Sequence, residues 1–315
     1  MNWMMKKRKN KGEKLMKKFA WMFLAVIALA GCQKEAKPEE EKEPIPQPSQ
    51  GPYTLTLQAS KGADTKALNL DTSGGKEHLN AYWGENETVA VYLSGSCLGT
   101  LNATADGTDN HNATLSGELE NVQGVAADVT LTLLYPRAEW DYTGQDGSAP
   151  SPAGTLATKY DYATASVEVK SINGNEITVK SGANFQNQQS MYRFGFKVGG
   201  EVLSVKEFTL SSNHNKLVTS RSYIGGEWTS AYGNLTVTPA AATNELLYIS
   251  LRNENTTTTE ADQFSFYVIG ADNALYTGSK NIPGEKLGNG EFISAKSVSV
   301  TKSDLSKSGT ATVVW

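Results

Sequence analysis

From Pro52 onward, apolar and polar residues alternate with a period of two along most of the chain. The first run places Tyr53, Leu55, Leu57 and Ala59 at every second position, with Thr or Gln between them. Further runs of this kind start at Val89, Ala113, Val129, Val167, Tyr192, Leu235, Leu247, Phe264 and Val298. Alternate side chains lie on opposite faces of a strand, so each run predicts a strand with one face in a core. No apolar pattern typical of a long helix follows residue 31, which predicts an all-β protein.

Turn signals rich in Gly and Asn separate the predicted strands, for example Asn173-Gly174 and Gly225-Gly226. Many short strands at this spacing favour β-sandwiches. Residues 142–158 (YTGQDGSAPSPAGTLAT) are rich in Gly, Pro and Ser and do not alternate, which is typical of a loop or a domain boundary. We therefore predict two sandwich domains, residues 52–158 and residues 159–315.

The N-terminal residues have the pattern of an export signal. Residues 6–18 are strongly basic, and residues 19–30 (FAWMFLAVIALA) form an uncharged apolar run. The run is shorter than the roughly 20 residues that a membrane-spanning helix needs. Leu29-Ala30-Gly31-Cys32 resembles the bacterial lipobox. We predict that residues 1–31 are a signal peptide, that cleavage falls between Gly31 and Cys32, and that Cys32 is acylated and anchors the precursor to the outer membrane.

Residues 32–51 are charged and rich in Pro, with almost nothing apolar to bury. This composition predicts a disordered tether. Lys34-Glu35 and the acidic run at residues 39–41 resemble the signal that sends Bacteroidetes lipoproteins to the cell surface.

The charge balance argues against nucleic-acid binding. The chain has 29 basic and 33 acidic residues, and eight of the basic ones lie in residues 1–31 beside Glu13 alone. The remaining chain is thus more acidic than the whole and would repel a phosphate backbone. Two cysteines cannot make a disulfide framework, and three scattered histidines do not favour a metal site. We predict no cofactor, no metal and no enzymatic activity.

A few residues carry weak chemical signals. Gly95-Ser96-Cys97-Leu98-Gly99 has the spacing of a nucleophile elbow, which requires a strand followed by a helix, whereas β-like sequence follows here and favours a hairpin turn. His78, His111 and His214 are expected in solvated loops. Asp106, Asp109 and His111 could offer ligands to calcium, although the same residue types suit a hairpin loop. Four aromatic residues in loop-like segments could stack on sugar rings or cap a sandwich end: Trp140, Tyr142, Trp228 and Tyr232.

Several segments together resemble the fimbrillin family of Bacteroidetes lipoproteins, the Mfa-like pilin precursors. Besides the lipobox leader they are YTLTLQASKG at 53–62 with TKAL at 65–68, AYWGENETVAVY at 81–92, LTLLYP at 131–136, KYDYATASV at 159–167, FQNQQ at 185–189 and GNLTVTP at 233–239. The resemblance covers nearly the whole chain. It implies two transthyretin-like β-sandwich domains in tandem and a lipidated precursor that a protease cuts behind the first strand. A strand from a neighbouring subunit then fills the groove.

In this sequence the strand removed would be residues 53–59, and the cut would follow Lys66 or Lys61. The family usually has Arg at that step. The candidate donor strand is Thr310, Ala311, Thr312, Val313, Val314 and Trp315. The alternative for this segment is an ordinary last strand within its own domain.

These observations lead to one main expectation and two alternatives. We expect a structural or minor subunit of a fimbrium at the cell surface, with other fimbrial subunits as partners. One alternative is an outer-membrane lipoprotein that keeps its lipid and binds a glycan or host ligand through loops at residues 106–112 and 140–147. The other is a hydrolase that uses Cys97.

Overall fold

Short β-strands make up nearly all of the regular structure, as the alternation predicts. The computed structural model describes residues 51–61, 69–71, 78–80, 82–84, 86–107, 110–151, 153–254 and 261–304. All of them belong to one compact unit, Gln47–Trp315. The predicted signal peptide, Cys32, almost all of the tether, Lys66 and residues 310–315 lie outside the described residues. The described part of the chain has no helix with the length and apolar composition needed to cross a membrane.

The strands are β1 Tyr53–Lys61, β2 Asn69–Asp71, β3 His78–Asn80, β4 Thr88–Leu93, β5 Ser96–Asp106, β6 Asn112–Leu119, β7 Thr130–Tyr135, β8 Glu139–Asp141, β9 Ala163–Asn173, β10 Glu176–Val179, β11 Ala183–Asn187, β12 Ser190–Val198, β13 Glu201–Val202, β14 Val205–Ser212, β15 Val218–Ile224, β16 Glu227–Tyr232, β17 Leu235–Val237, β18 Leu247–Leu251, β19 Asp262–Gly270, β20 Leu275–Ile282, β21 Phe292–Ser299 and β22 Thr301–Lys302. The described helical elements are α1, Thr155–Lys159, and a single 3-10 turn, Gly284–Lys286.

The first sheet closes on itself. Its strands follow the order β10-β1-β11-β9-β7-β4-β5-β6, and β1 pairs in addition with β6. Seven of these strands therefore form a ring in which β1 is the link between β6 and β11, with β10 as a further neighbour of β1 and β9. This closure differs from the open two-sheet sandwich expected for the first half, because both edges of β1 are paired.

We call the strands of this first sheet the first half of the molecule and the strands of the remaining sheets from β8 onward the second half. The core of the first half is mainly aliphatic. Its strands alternate between buried and exposed positions, so every second side chain points into the ring. The buried residues are Leu, Val, Ile and Ala except for Tyr53, Trp83, Tyr135 and Phe185. This core explains why the alternation along the sequence is so regular in these strands.

The second half has an aromatic core between several smaller sheets. β12 pairs with β13, β18 and β21, while β14 lies between β17 and β19 in a five-stranded sheet that ends in β20 and β22. β8, β15 and β16 form a third sheet. Its large buried side chains are Trp140, Tyr142, Tyr162, Tyr192, Phe194, Phe196, Phe208, Phe264 and Phe266.

The chain crosses from the first core to the second and then returns. β8 pairs with β15, and Trp140 and Tyr142 belong to the second core. β9, β10 and β11 then rejoin the first sheet, where β9 pairs with β7 from Thr130↔Glu168 to Tyr135↔Ala163. The strand pairing thus differs from the division expected at residue 159, because residues 163–187 complete the first ring.

Within the Gly- and Pro-rich stretch at residues 142–158, Tyr142, Gln145 and Leu156 are buried, so this part of the chain does not behave as a free linker. Gln145 is 2% exposed, and its side chain substitutes for a neighbouring strand. Its Nε2 donates to the Ser250 carbonyl oxygen at 2.6 Å, and the Ser250 N–H donates to its Oε1 at 2.7 Å. A polar side chain can therefore satisfy buried backbone groups where the sequence shows no alternation.

Candidate functional site

β1 is the strand that closes the first ring, and its two edges are held differently. On one edge it runs antiparallel to β6 in an unbroken register from Tyr53↔Leu119 to Ser60↔Asn112. On the other edge it runs parallel to β10 near its start and to β11 near its end. If β1 were absent, β6 and β10/β11 would each present unpaired backbone groups to the same groove.

Only one face of β1 is buried. Tyr53, Leu55, Leu57, Ala59 and Lys61 point inward and are at most 5% exposed, while the residues between them are exposed or half-buried. The outward face makes side-chain hydrogen bonds that are themselves exposed to solvent, for example Gln58 Nε2 to Thr114 Oγ1 at 2.9 Å. Such exposed bonds contribute little net stability, so β1 is held mainly by its backbone ladder and its buried face.

β1 has small residues beside it toward its C-terminal end. Ala59 is flanked by Ala113 on β6 and Ala183 on β11, so three alanines meet at this level. Gly182 lies close beside the middle of β1: a Cβ at this glycine would stand 2.7 Å from the backbone oxygen of Gln58. The close approach of the two backbones therefore leaves no room for a side chain on Gly182.

At the C-terminal end of β1 the Lys61 ammonium is fully hydrogen-bonded inside the protein. Its Nζ donates to Glu87 Oε2 at 2.9 Å, to Asp161 Oδ2 at 3.3 Å and to the Tyr82 carbonyl oxygen at 3.2 Å. An ammonium has three N–H donors, and each has an acceptor here. Lys61 is 3% and Asp161 6% exposed, so this ion pair is removed from solvent.

Aromatic rings complete the surroundings of the ammonium. Lys61 Nζ lies 3.9 Å from the ring centroid of Tyr135 and 4.6 Å from that of Trp83. Tyr135 donates its hydroxyl to Glu87 Oε1 at 2.5 Å, which fixes the carboxylate. Cation–π contacts gain strength when the cation is desolvated, as it is here. We call Tyr82, Trp83, Glu87, Tyr135 and Asp161 the ammonium cage.

Two carboxylates of the cage, Glu87 and Asp161, lie beside one cation, the Lys61 ammonium of β1. Burial raises the pKa of Asp161, while the Lys61 ammonium opposes that rise. Gln189 Nε2 also donates to Asp161 Oδ1 at 3.2 Å. Burial likewise raises the pKa of Tyr135, with the charges of Asp161 and Glu87 adding to the effect. Without Lys61, the cage would keep two acidic groups with no cation between them.

Of the two predicted cleavage residues, Lys61 is among those that the structure describes. The Lys61 side chain is enclosed by the cage, so a protease that reads this side chain can reach it only after the end of β1 has left the ring. Lys66 lies outside the described residues. So do Gly31, Cys32 and the predicted donor residues, and their roles stay predictions.

Glu87 and Asp161 are candidate functional residues that the sequence does not single out. They lie 26 and 100 positions from Lys61, and no motif spacing connects the three. Both occur in segments that carry the fimbrillin resemblance, residues 81–92 and 159–167, which is the one available indication.

The weaker chemical signals of the sequence lie apart from the cage. Cys97 is an exposed thiol paired with Tyr92 in the hairpin of β4 and β5, so the predicted hairpin is confirmed and no helix follows it. His111 stacks on Tyr82, with 5.1 Å between ring centroids. Asp106 accepts from Thr114, and Asp109 lies outside the described residues. Among the described residues, no group of three or more His, Cys, Asp or Glu could hold a metal ion.

The four aromatic residues do not form an open stacking platform. Trp140 lies on β8, and Trp228 and Tyr232 lie on β16, so the loop placement expected for these three is wrong. Trp140 and Tyr142 are 1% and 0% exposed and belong to the second core. Trp228 is half-buried: its ring centroid lies 4.1 Å from that of Trp140, and the Arg221 guanidinium lies 4.4 Å from its ring. Tyr232 donates its hydroxyl to Glu254. Three of the four residues thus serve packing, as the sandwich-cap alternative expected.

No protein-family model matches the chain, and no curated protein matches it. Solved structures from Bacteroides are distantly similar. A candidate cell adhesion protein of Bacteroides uniformis has a TM-score of 0.39 at 14% identity, covering 82% of this chain and 99% of its own. One from Bacteroides ovatus has 0.38 at 12%, covering 81% and 97%.

A fimbrial protein of Bacteroides ovatus has a TM-score of 0.29 at 11% identity, covering 80% of this chain and 50% of its own. At these TM-scores and identities, the similarities do not assign a function to this chain.

Proposed function

We propose that this protein is a fimbrial subunit that is exported as a lipoprotein precursor and assembles by strand exchange. In this proposal β1 is a placeholder, a protease removes it, and a strand from another subunit takes its place. The two halves would then correspond to the tandem transthyretin-like domains that the family resemblance implies. The role is structural and adhesive at the cell surface.

The observation that carries the proposal is the position of β1 in the ring. One strand near the start of the described chain fills the gap between β6 and β10/β11, and only one of its faces contributes to the core. Its removal would expose an apolar floor and two unpaired edges while the other strands of the ring keep their partners. An added strand covers the apolar floor and pairs with both edges at once, which is the physical basis of β-augmentation.

The burial of Lys61 favours Lys66 as the cleavage position. A protease binds its substrate as an extended, accessible segment, and the Lys61 side chain is enclosed in the folded state. A cut after Lys66 would leave β1 intact as a peptide that could dissociate as a unit. Acylation of Cys32 would hold the precursor at the outer membrane until that cut occurs.

N-terminal sequencing and intact-mass measurement of the protein recovered from cell surfaces test the proposal. We expect a mature chain that begins at Ala67 and carries no lipid. A chain that begins at Gly62 would still show removal of β1 but would contradict the preference for Lys66.

A chain that begins at acylated Cys32, in preparations that contain no polymer, would contradict the proposal. That result would favour the alternative of a lipoprotein that stays at the surface and binds a ligand. The matched control is Lys66→Gln, which should retain the lipidated N-terminus and stay monomeric if Lys66 is the cleavage position.

A further inference from the structure

We propose that the ammonium cage selects the strand that replaces β1, by requiring a basic side chain at one defined position of that strand. The inference rests on the proposed function, since it concerns the groove that β1 would vacate. The occupant is the segment Lys307–Trp315 of a second copy of this chain, inserted in the direction opposite to β1.

The first step is the chemistry of the vacated cage. With β1 gone, Glu87 and Asp161 would lose the Lys61 ammonium, whose three N–H groups all donate to the cage. Leaving one member of a buried ion pair uncompensated is strongly unfavourable. A strand that brings an ammonium or guanidinium to this position restores the pairing, and a strand with an apolar side chain there does not.

The second step is the pattern of the groove. From one end to the other, β1 buries an aromatic residue, two leucines, a small residue and a lysine: Tyr53, Leu55, Leu57, Ala59 and Lys61. The spacing is two residues throughout, so the buried face spans nine residues. An occupant must bring a cation to the level of Lys61. Two positions before that lysine, β1 has Ala59 between Ala113 and Ala183.

The third step is the sequence of the last nine residues, which lie outside the described part of the chain. Read from the end toward Lys307, every second residue gives Trp315, Val313, Ala311, Gly309 and Lys307. This order is aromatic, aliphatic, small, small and basic, which matches the buried face of β1 at four of its five positions, with Ala311 where β1 has Leu57. In this proposal the match sets which residues of the donor strand face the core.

The polarity follows from the same comparison. In the direction of β1, Lys307 would meet the site of Tyr53, and Trp315 would meet the two carboxylates of the cage. In the opposite direction, Lys307 meets the cage and Gly309 takes the place of Ala59 between Ala113 and Ala183. The donor would then run parallel to β6 and antiparallel to β10 and β11, and both arrangements form regular ladders.

The test uses the complete chain with a site-specific protease sequence in place of residues 63–67, so that the cut can be made at will. Four variants form a double-mutant cycle. Two have the charged cage, and two have a cage made neutral by Lys61→Met, Glu87→Gln and Asp161→Asn. In each pair, one variant keeps Lys307 and the other carries Lys307→Met. After cutting, a dilution series gives the protein concentration at which half of the subunits are in polymer.

With the charged cage, we expect Lys307→Met to raise this midpoint concentration about tenfold or more. With the neutral cage, the same substitution should change it less than about twofold. A matched control exchanges two neighbours, Lys307→Ser with Ser308→Lys. This control keeps the composition and the net charge and moves the cation to the other face of the strand. It should therefore raise the midpoint concentration as much as Lys307→Met does.

Two results would separate the inference from the proposed function. If polymers form after cutting but Lys307→Met and the exchanged pair have no effect, strand exchange stands and selection by the cage is wrong. If no variant forms polymers after cutting, the proposed function is wrong and the inference falls with it.

Discussion

The two halves of the molecule hold their strands in different ways, as β1 and β12 show. β12 also has partners on both edges, but seven of its nine residues are buried in succession, so both of its faces lie in packed surroundings. β1 is buried only at alternate positions. A strand with one buried face can be replaced by another strand of matching pattern. A strand buried on both faces cannot leave without opening two packed layers.

The halves also differ in how they bury charge. In the second half Asp262 is 1% exposed and accepts hydrogen bonds from the neutral donors Ser212, Asn213 and Asn253. In the first half the carboxylates of the cage depend on a cation, and that cation comes from β1 itself. A charge satisfied by neutral donors is a fixed part of the fold. A charge satisfied by Lys61 is tied to the presence of one particular strand.

The largest effect is expected in the aromatic core. Phe266 packs against Phe194, Phe196 and Phe208, with ring centroids 4.8, 5.4 and 6.3 Å away. We expect Phe266→Ala to lower the free energy of unfolding by about 4 kcal/mol, because it leaves a cavity in a packed core. Chemical denaturation measures this loss of unfolding free energy. Tyr267→Ala, at the 48% exposed neighbour on the same strand, should cost far less; equal losses would contradict the assignment of this core.

The next effect separates the cage from ordinary packing. Lys61→Met in the uncut chain should lower the free energy of unfolding by about 3 kcal/mol, because it leaves buried carboxylates without their cation. Adding Glu87→Gln and Asp161→Asn should recover most of this loss. If the neutral triple variant is as unstable as Lys61→Met, the loss comes from packing and not from charge.

A smaller effect tests the close approach of β1 to the loop between β10 and β11. Gly182→Ala would place a Cβ 2.7 Å from the Gln58 backbone oxygen, and we expect a loss of about 2 kcal/mol. Gly288→Ala is the matched control, because its added Cβ would meet nothing within 4 Å. Thermal unfolding of both variants should show a lower midpoint only for Gly182→Ala. Equal midpoints would mean that β1 does not lie this close.

The smallest effect concerns pH and the second half. Burial works to raise the pKa of Glu254, but hydrogen bonds from Tyr232 and Arg252 outweigh it and hold this pKa below its usual value. Glu254 thus stabilises the fold above pH 4.5, and this contribution is lost as the pH falls through the lowered pKa. Glu254→Gln should cost less than about 1 kcal/mol at neutral pH and less still in acid. A loss that does not shrink in acid, measured by denaturation across this pH range, would contradict this reasoning.

The alternation of the sequence predicted the strands and the all-β class, because one-sided burial imposes a period of two on the residues. The alternation correctly predicted which residues of β1 face inward between Tyr53 and Ala59. It did not extend that face to Lys61, because a lysine in an alternating pattern is expected outside a core unless a partner is known. That partner, Asp161, is 100 positions away. Pairing across such distances follows from the closed sheet and leaves no local pattern.

The segment at residues 142–158 shows a second limit of sequence reasoning. Gly, Pro and Ser are typical of linkers, and no apolar period indicated burial. Residues 145–147 are held in place because Gln145 bonds to Ser250 and because Gly147 lies close to Leu247, where an added Cβ would stand 2.7 Å away. Such contacts depend on the partner strand and are invisible in the segment itself.

The central claim is that a strand from a second copy takes the place of β1 beside β6, and disulfide trapping tests it most directly. Gln58 faces Thr114 across the β1–β6 ladder. In the opposite-direction register Thr310 replaces Gln58, whereas in the β1 direction Thr312 does. Chains in which Cys97 is replaced by Ser would carry Thr114→Cys with either Thr310→Cys or Thr312→Cys, together with the inducible cut.

After cutting, the account predicts a ladder of disulfide-linked oligomers for the Thr310→Cys chain, formed faster than for the Thr312→Cys chain and absent before the cut. Faster linkage through Thr312→Cys would contradict the proposed polarity. If neither chain forms intermolecular disulfides after the cut, no second copy occupies the β1 groove and the central claim is wrong.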